Sequence, residues 1–567
     1  MRRQGSECVE TVRRVPRGQR LVARRRAGAR ARFVDSAVRP EGCLRGGPVE
    51  RRYRRDATGV ARGRRHARGV RLRSRAAQSF QLARADAGTR RRRKLCGIPA
   101  RRLFARGRRS RRGVDGRAAL GCHHVVVVRH ARHERDARAE EFRRHARTRH
   151  RGVGAARADR HAIGIKEGRM KAPSVYLHAL GMINALGNGL DAIVPALAAA
   201  HAPGMTNAHT GIGEAFVGSV LAPLDLAPPA ALARYDCRNN RLLLAALQQI
   251  APAVAAARER YGAHRIGVVL GTSTSGIEAA EAAFVYQAQA GNLPPNFNYR
   301  QMEIGTVAPF AAAALGVQGP AFTISTACTS SAKAFASARR LLQLRLCDAV
   351  VVGGVDSLCE LTVQGFASLE STSAMRTNPM SRNRCGINVG EGAAVFLMSR
   401  DEAEVRLAGV GESSDAHHIS SPDPQGVGGE LALRAALADA GIASSAIGYV
   451  NLHATATRKN DDMEAKLMAR VFPEGVATSG TKPLTGHQLG AAGATELAFA
   501  WLTLARDNRA QPVPLPRHVW DGEADPALPA LDLVETERFL PLGAGSQYVM
   551  SNSFAFGGSN VSLILGR

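Results

Sequence analysis

Residues 320–342 read PAFTISTACTSSAKAFASARRLL: a short β-forming run, a corner of small residues, then a stretch whose apolar positions recur at helical spacing. Cys328 falls at the corner. A helix N-terminus gathers unpaired N–H groups and partial positive charge, which lowers a thiol's pKa and favours the thiolate, its nucleophilic form. The small neighbours Ala327, Thr329 and Ser330 leave room for a substrate carbonyl. Cys237, Cys347 and Cys359 stand at no such corner and read as packing residues.

A strand that runs straight into a helix is the unit of α/β folds, and the alternation extends outward from this stretch. RIGVVLGTS, PAFTIST, CDAVVVGGVDS and GAAVFLMSR read as strands, with CRNNRLLLAALQQIAPAVAAARERYG and SSAKAFASARRLLQLRL as helices. A similar series follows: strand AEVRLAGVGES, helix GGELALRAALADAG, strand IGYVNLHAT, helix DDMEAKLMARVF and late strands SQYVMSNS and VSLILGR. The organisation predicted is two similar α/β halves, residues 170–402 and 403–567, with buried, partly parallel sheets.

The charge separates these halves from what precedes them. The chain of 567 residues has a formal net charge of +32. Residues 1–169 hold 51 Lys and Arg against 14 Asp and Glu, a net of +37, which leaves the remainder at −5. The first 169 residues show neither strand nor helix periodicity and too much like charge to collapse, so disorder is expected. The favoured reading makes Met170 the true start and the upstream stretch mis-called translation. The alternative, a basic arm for nucleic acid or an anionic membrane, lacks the interleaved aromatics of a stacking surface. Cys122, His123 and His124, with further histidines to His150, match no standard zinc spacing, so no metal site is expected. No apolar run reaches the ~18 residues of a membrane span and no signal-type segment is present. Nine unclustered cysteines suit a reducing compartment, and the cytoplasm is the default location.

Three further stretches raise Cys328 above a packing residue. NLHATATRKNDDMEA places His453 at a strand end, before a polar turn and a helix carrying Asp461 and Glu464. TKPLTGHQLGAAGATE places His487 in a Gly-rich turn ahead of a helix. SNSFAFGGSN sets Phe554 and Phe556 beside Gly557 and Gly558. In this order and spacing, from about residue 172 to 567, the chain resembles a β-ketoacyl-acyl carrier protein synthase of the I/II type, a condensing enzyme of the thiolase superfamily. TACTSS, HATATRKND, KPLTGHQLGAAG and NSFAFGGSN are similar to the family's site blocks, and DAHHISSPDPQG and GINVGEGAA to further family segments.

The resemblance implies a thiolase-like fold, two similar α/β halves in a five-layered αβαβα arrangement. It implies decarboxylative Claisen condensation of malonyl-acyl carrier protein with an acyl group held as a thioester on Cys328, in fatty acid, polyketide or aryl polyene biosynthesis. His453 and His487 would donate to the enolate oxygen, and the N–H groups of Cys328 and Phe556 would form the oxyanion hole. Lys482 resembles the family's active-site lysine, with Glu496 as its partner. Thr274 falls where elongating enzymes place a pocket-floor residue, and Phe554, Thr455 and Thr457 lie along the substrate. Asp461 and Glu464 read as supporting groups rather than an acid/base pair. No bound cofactor is implied, because substrates arrive on the phosphopantetheine of acyl carrier protein. A homodimer is implied, or a heterodimer with a related subunit. Arg339, Arg340 and Arg345, or Arg376 and Arg382, are the candidate docking patch for an acidic carrier.

Three departures mark a divergent branch: Ala555 stands where the family has Gly before its gating Phe, Ala454 where it has Gly after the His, and RCGIN where it often has RDGF. A degradative thiolase would need a second site Cys in the C-terminal Gly-rich loop, and SNSFAFGGSN has none. The initiating type III synthase pairs its Cys with His and Asn. A chain-length-factor subunit, the non-catalytic alternative, lacks the nucleophile.

Overall fold

The computed structural model describes residues 173–505, 512–541 and 547–567, so the expectations for residues 1–169, including the Cys122–His124 stretch, lie outside the described residues. The first strands are β1 (Tyr176–Asn184), β2 (Ile266–Gly271), β3 (Ala321–Ile324), β4 (Ala349–Asp356) and β5 (Gly392–Ser399). They lie in the order β3-β2-β4-β5-β1. A second set follows: β6 (Val405–Ser414), β7 (Ile447–Asn451), β8 (Ala477–Ser479), β9 (Tyr548–Phe554) and β10 (Ser559–Gly566). Their order is β8-β7-β9-β10-β6, with the short strand Asp532–Leu533 added outside β8.

The two orders are the same when each set is numbered from its own first strand, and so are the directions. β2 pairs in parallel with β3 and β4, as β7 does with β8 and β9, while the other neighbours within each set of five are antiparallel. The halves expected from the repeated strand and helix series are therefore copies in topology. They meet where β1 pairs with β6 over Tyr176↔Arg406 and Leu177↔Val405.

Five layers result from the helices. α1 (Arg238–Tyr261) covers β1, β5 and β4, and α2 (Val307–Leu315) covers β2 and β3. α4 (Val427–Ala440) covers β6 and β10, with α5 (Arg458–Val471) packed beside it. Between the two sheets lie α3 (Ser330–Gln343) and α6 (Ala492–Leu504), which touch each other and strands of both halves. Strands covered on both faces need apolar side chains on both, and every residue of β4 and β5 is buried. A helix enclosed on all sides has no polar face to present, and every residue of α6 is buried too. Phe335 of α3, Phe396 of β5 and Trp501 of α6 interlock edge to face, with ring centres 5.7 and 5.8 Å apart. α5 begins at Arg458, so the polar turn expected before it is its first turn, which puts Asp461 close to its N-terminus.

Glu391, in the GINVGEG segment before β5, is fully buried and pairs with Arg238 at the start of α1 at 2.5 and 2.8 Å. It also accepts the N–H groups of Val220 and Leu358. Removing one partner of such a pair strands the other charge and two amide donors. Glu391→Ala is expected to cost about 3 kcal/mol, read as a lower urea midpoint at unchanged slope, with Glu391→Gln in between. Among the described residues no helix is long and apolar enough to cross a membrane.

Candidate active site

Cys328 sits where β3 turns into α3, as expected, and the hydroxyl residues around it build the corner. Ala327 adopts a left-handed conformation at φ 51°. Ser330 Oγ donates to Ala327 O at 2.6 Å and accepts Thr326 N–H at 2.9 Å, and Thr329 Oγ1 donates to Thr326 O at 2.8 Å. Thus TACTSS is a turn whose own side chains hold a non-glycine residue in a strained region. Ser331 Oγ accepts Ala494 N–H at 2.9 Å, tying α3 to α6. Gly271, at the end of β2, lets α3 begin against the strand: a Cβ there would lie 2.3 Å from Ser331 N.

The thiol faces His487, whose Nε2 is 3.0 Å from Sγ. Its pKa runs against the expectation from the helix N-terminus. Burial pushes the thiol up to about 11, against the Lys482 charge and the N–H groups of Phe556 and Cys328 directed at the sulfur. The dipole is present, but removal from water outweighs it. The resting site is a neutral thiol beside a neutral imidazole, because burial and then Lys482 hold His487 well below its usual value.

His453 follows β7, its ring centre 5.5 Å from that of His487 and set edge-on to it. Burial, then Lys482, then His487 also hold it well below its ordinary value. Lys482 is 1% exposed, and its Nζ meets Glu496 Oε1 at 2.5 Å, His453 O, and His453 Nδ1 at 3.3 Å. An ammonium group has three hydrogens and no acceptor, so this arrangement makes His453 Nδ1 an acceptor and leaves the ring proton on Nε2. His487 Nδ1 has no hydrogen-bond partner among the described residues, so its tautomer is free to change. Burial raises Glu496 to about 7 despite Lys482.

Asp461 and Glu464 act on the backbone. Glu464 accepts the N–H groups of His453 and Ala454 at 2.8 and 2.7 Å, and Asp461 those of Met380 and Ala456 at 2.8 and 3.1 Å. Two residues of this loop are left-handed and neither is glycine: Ala454 at φ 38° and Ala456 at φ 59°. The methyl of Ala454 faces Gly480, where an added Cβ would come within 2.5 Å of it. Position 480 stays open because position 454 is filled. Gly480→Ala is expected to destabilise the protein by ~1–3 kcal/mol, and adding Ala454→Gly to recover most of it; a denaturation double-mutant cycle measures the coupling.

Burial raises Glu464 from an ordinary 4.5 to about 7. The folded protein therefore holds a proton there that the unfolded chain has lost, so this group's contribution to stability falls as pH rises between those values. Unfolding midpoints at pH 5 and 8 are expected to show the wild type losing ground against Glu464→Gln on moving to the higher pH.

A cavity of about 410 Å³ opens above the thiol, lined by Cys328, His453, His487, Thr455, Thr457, Phe554 and Phe556 and, further out, by Phe366, Leu369, Cys385, Arg458 and Lys459. Thr455 and Thr457 share a hydrogen bond of 2.9 Å, and Phe556 lies 5.6 Å from Phe366 between ring centres. In SNSFAFGG the left-handed positions are Gly557 at φ 83° and Gly558 at φ 78°, and Ala555 is not among them. The alanine is therefore unstrained here. Thr274 corrects its expectation: it does not line this cavity, and its hydroxyl and N–H both go to the buried Asp356 at 2.9 and 2.8 Å. Asp356 was legible only as the carboxylate ending an otherwise apolar strand. Arg458 and Lys459 lie within the HATATRKND block and Cys385 within RCGIN, but neither motif assigned these three residues a role at the cavity they line. The ligand atoms of Cys328, His453 and His487 lie within 4.8 Å of one another, which makes them the donors that could hold a thiophilic metal ion.

Residues 212–403 match the family model described as beta-ketoacyl synthase, N-terminal domain, and residues 404–513 its C-terminal domain. The chain is 29% identical to 3-oxoacyl-[acyl-carrier-protein] synthase 2 of Vibrio cholerae over 436 residues, covering 70% of this chain and all of that one. The corresponding protein of Vibrio harveyi is 30% identical, over 70% of this chain and 99% of its own. Among solved structures, the ketosynthase ApeO in complex with its chain length factor ApeC from Xenorhabdus doucetiae matches with a TM-score of 0.66. The identity there is 43%, covering 70% of this chain and 98% of that one. A beta-ketoacyl synthase from Burkholderia phymatum matches with a TM-score of 0.60 at 29% identity, covering 70% of this chain and 99% of that one.

Proposed function

Since this chain belongs to the β-ketoacyl synthase family, as a condensing enzyme of the I/II type, we propose that it catalyses carbon–carbon bond formation itself, using Cys328. The observation that carries this reading is the approach of Cys328 Sγ to His487 Nε2 at 3.0 Å with the His453 ring beside them. A subunit that only shapes a partner's pocket has no use for that arrangement.

In the first half-reaction Sγ attacks the carbonyl of an acyl thioester on a carrier protein while His487 Nε2 takes the thiol proton. A buried thiol at about 11 needs that base. The tetrahedral oxyanion sits between the N–H groups of Cys328 and Phe556. Collapse expels the carrier thiol, which leaves with the proton, and the acyl group stays on Cys328. In the second half-reaction a malonyl thioester loses CO2, and its enolate oxygen is held by Nε2–H of His453 and of His487. Lys482 keeps the His453 proton on the required nitrogen, and the unpartnered Nδ1 of His487 lets that ring serve as acceptor first and donor second. The enolate carbon attacks the acyl thioester and Cys328 departs as the thiolate, restored to a thiol by a proton from solvent.

The partner we propose is a related subunit of the chain-length-factor kind, with this chain as the ketosynthase member because it holds the cysteine. The likeness at 43% identity to a ketosynthase in complex with its chain length factor supports this, and with such a partner we place the chain in a specialised polyketide or aryl polyene pathway rather than in primary fatty acid synthesis. Among the described residues β3 ends the sheet with its outer edge unpaired, Phe322 there is 37% exposed, and Phe284, Val285 and Tyr286 are exposed as well. An open edge with exposed apolar groups is a pairing surface. For carrier docking we favour Arg376, which is exposed. Arg339, Arg340 and Arg382 are taken up by Asp439, Glu412 and Glu523.

The test uses the full chain, alone and co-expressed with a candidate partner, incubated with acyl- and malonyl-carrier proteins and followed by intact mass. The expected result is an acyl adduct absent from Cys328→Ala, and a β-keto product two carbons longer. An adduct that never forms, with or without the partner, assigns the chain a non-catalytic role.

A further inference from the structure

We infer that Asp356 is the positioning residue that sets the Cys328 corner and the His487 turn at their working separation; this rests on the reading of Cys328 and His487 as a reacting pair. Asp356 ends β4, is 0% exposed, and collects donors from two segments that come from different halves of the chain. From the loop after β2 it accepts Thr272 Oγ1 at 2.5 Å, Ser273 N–H at 2.8 Å, Thr274 N–H at 2.8 Å and Thr274 Oγ1 at 2.9 Å. From the turn after His487 its second oxygen accepts Gly490 N–H at 2.5 Å.

Each of those segments leads directly to one member of the pair. Ser273 Oγ donates to Ala327 O at 3.3 Å, the strained residue that aims Cys328. Gly490 lies three residues beyond His487, and the approach is close enough to exclude a side chain. A Cβ at position 490 would lie 2.7 Å from Ser273 N and 2.8 Å from Asp356 Oδ2. The far side of the His487 turn is fixed independently, since His487 N–H donates to Asn388 O at 2.6 Å and His487 O accepts Gly390 N–H at 2.9 Å. Ser331 and Ala494 join the two central helices, whereas Asp356 joins the turns that precede them. Five donors converge on one carboxylate, four of them on the same oxygen, a demand for acceptors that neither a neutral amide nor a hydroxyl could meet.

The distance this arrangement controls is the 3.0 Å from Sγ to Nε2. A displacement of about an ångström in a proton-transfer pair lowers a rate by up to ~100-fold. Asp356→Asn turns an NH2 toward amide donors and is expected to slow Cys328 acylation by tenfold or more in the folded protein. Gly490→Ala pushes the same turn away with the carboxylate intact, and is expected to do likewise.

The deciding experiment compares the full-length wild type, Asp356→Asn, His487→Ala and the double variant at a temperature well below every unfolding midpoint. The readouts are the pH–rate profile of Cys328 alkylation by iodoacetamide and, separately, the single-turnover rate of acylation from an acyl-carrier protein. If Asp356 acts through His487, Asp356→Asn reproduces the His487→Ala profile and adds little to it in the double variant. Should Asp356→Asn not fold, Gly490→Ala takes its place in the same cycle. Effects that multiply, or a wild-type profile in Asp356→Asn, overturn the proposal. A wild type that takes no acyl group sinks the condensing reading alone, because the alkylation cycle still decides whether Asp356 positions the pair.

Discussion

A lysine side chain with almost no exposure lies near the middle layer, and much of the surrounding chemistry follows from satisfying it. Lys482 spends its three hydrogens on Glu496, on the carbonyl of His453 and on His453 Nδ1. An uncompensated buried charge would be untenable, so α6, otherwise nearly all apolar, carries a glutamate at position 496. The ammonium adds to the burial that keeps both imidazoles neutral, orients one of them and works against the burial that raises the thiol. Substrate chemistry that needs neutral N–H donors can be placed around such a charge without the donors themselves ionising.

The location of this cluster follows from the doubled topology. Each half contributes three neighbouring parallel strands, and the segments leaving their C-terminal ends converge between the sheets. β3 delivers Cys328, β4 delivers Asp356, and β7 delivers His453, while the segment after β8 carries Lys482 and His487. Side chains far apart in sequence therefore meet where α3 and α6 pack. Because the groups that react come from different halves, their separation depends on a few polar ties across the layer, including Ser331 to Ala494 and Asp356 to Gly490.

The alanines in this chain show how a divergent loop is accommodated. Ala454 and Ala456 occupy left-handed backbone at a cost that glycine would avoid. Glu464 and Asp461 hold that backbone from behind, and Gly480 yields the space that the methyl of Ala454 requires. Ala555 needs no such support, since the left-handed residues of its loop are the two glycines that follow. Strain in the first loop is thus held in place by buried carboxylates, and the second loop has none at its alanine.

Much of the site was legible in local sequence because its parts are local structures: a strand–corner–helix around Cys328, a strand end at His453, Gly-rich turns at His487 and Phe556. The alternation of apolar strands and helices determined the α/β class and the division into two similar halves, since strands covered on both faces must be apolar throughout. What the sequence could not carry was the outcome of competition between terms. The helix N-terminus at Cys328 argued for an easily ionised thiol, and burial, a property of the assembled layers, reversed it. Thr274 looked like a pocket wall, but its hydroxyl is consumed by Asp356, a partner 82 residues away. Asp356 itself showed only as a carboxylate at a strand end. Local residue types determine which turns and strands form, whereas pKa values, tautomers and distances between reacting atoms depend on groups that only packing brings together.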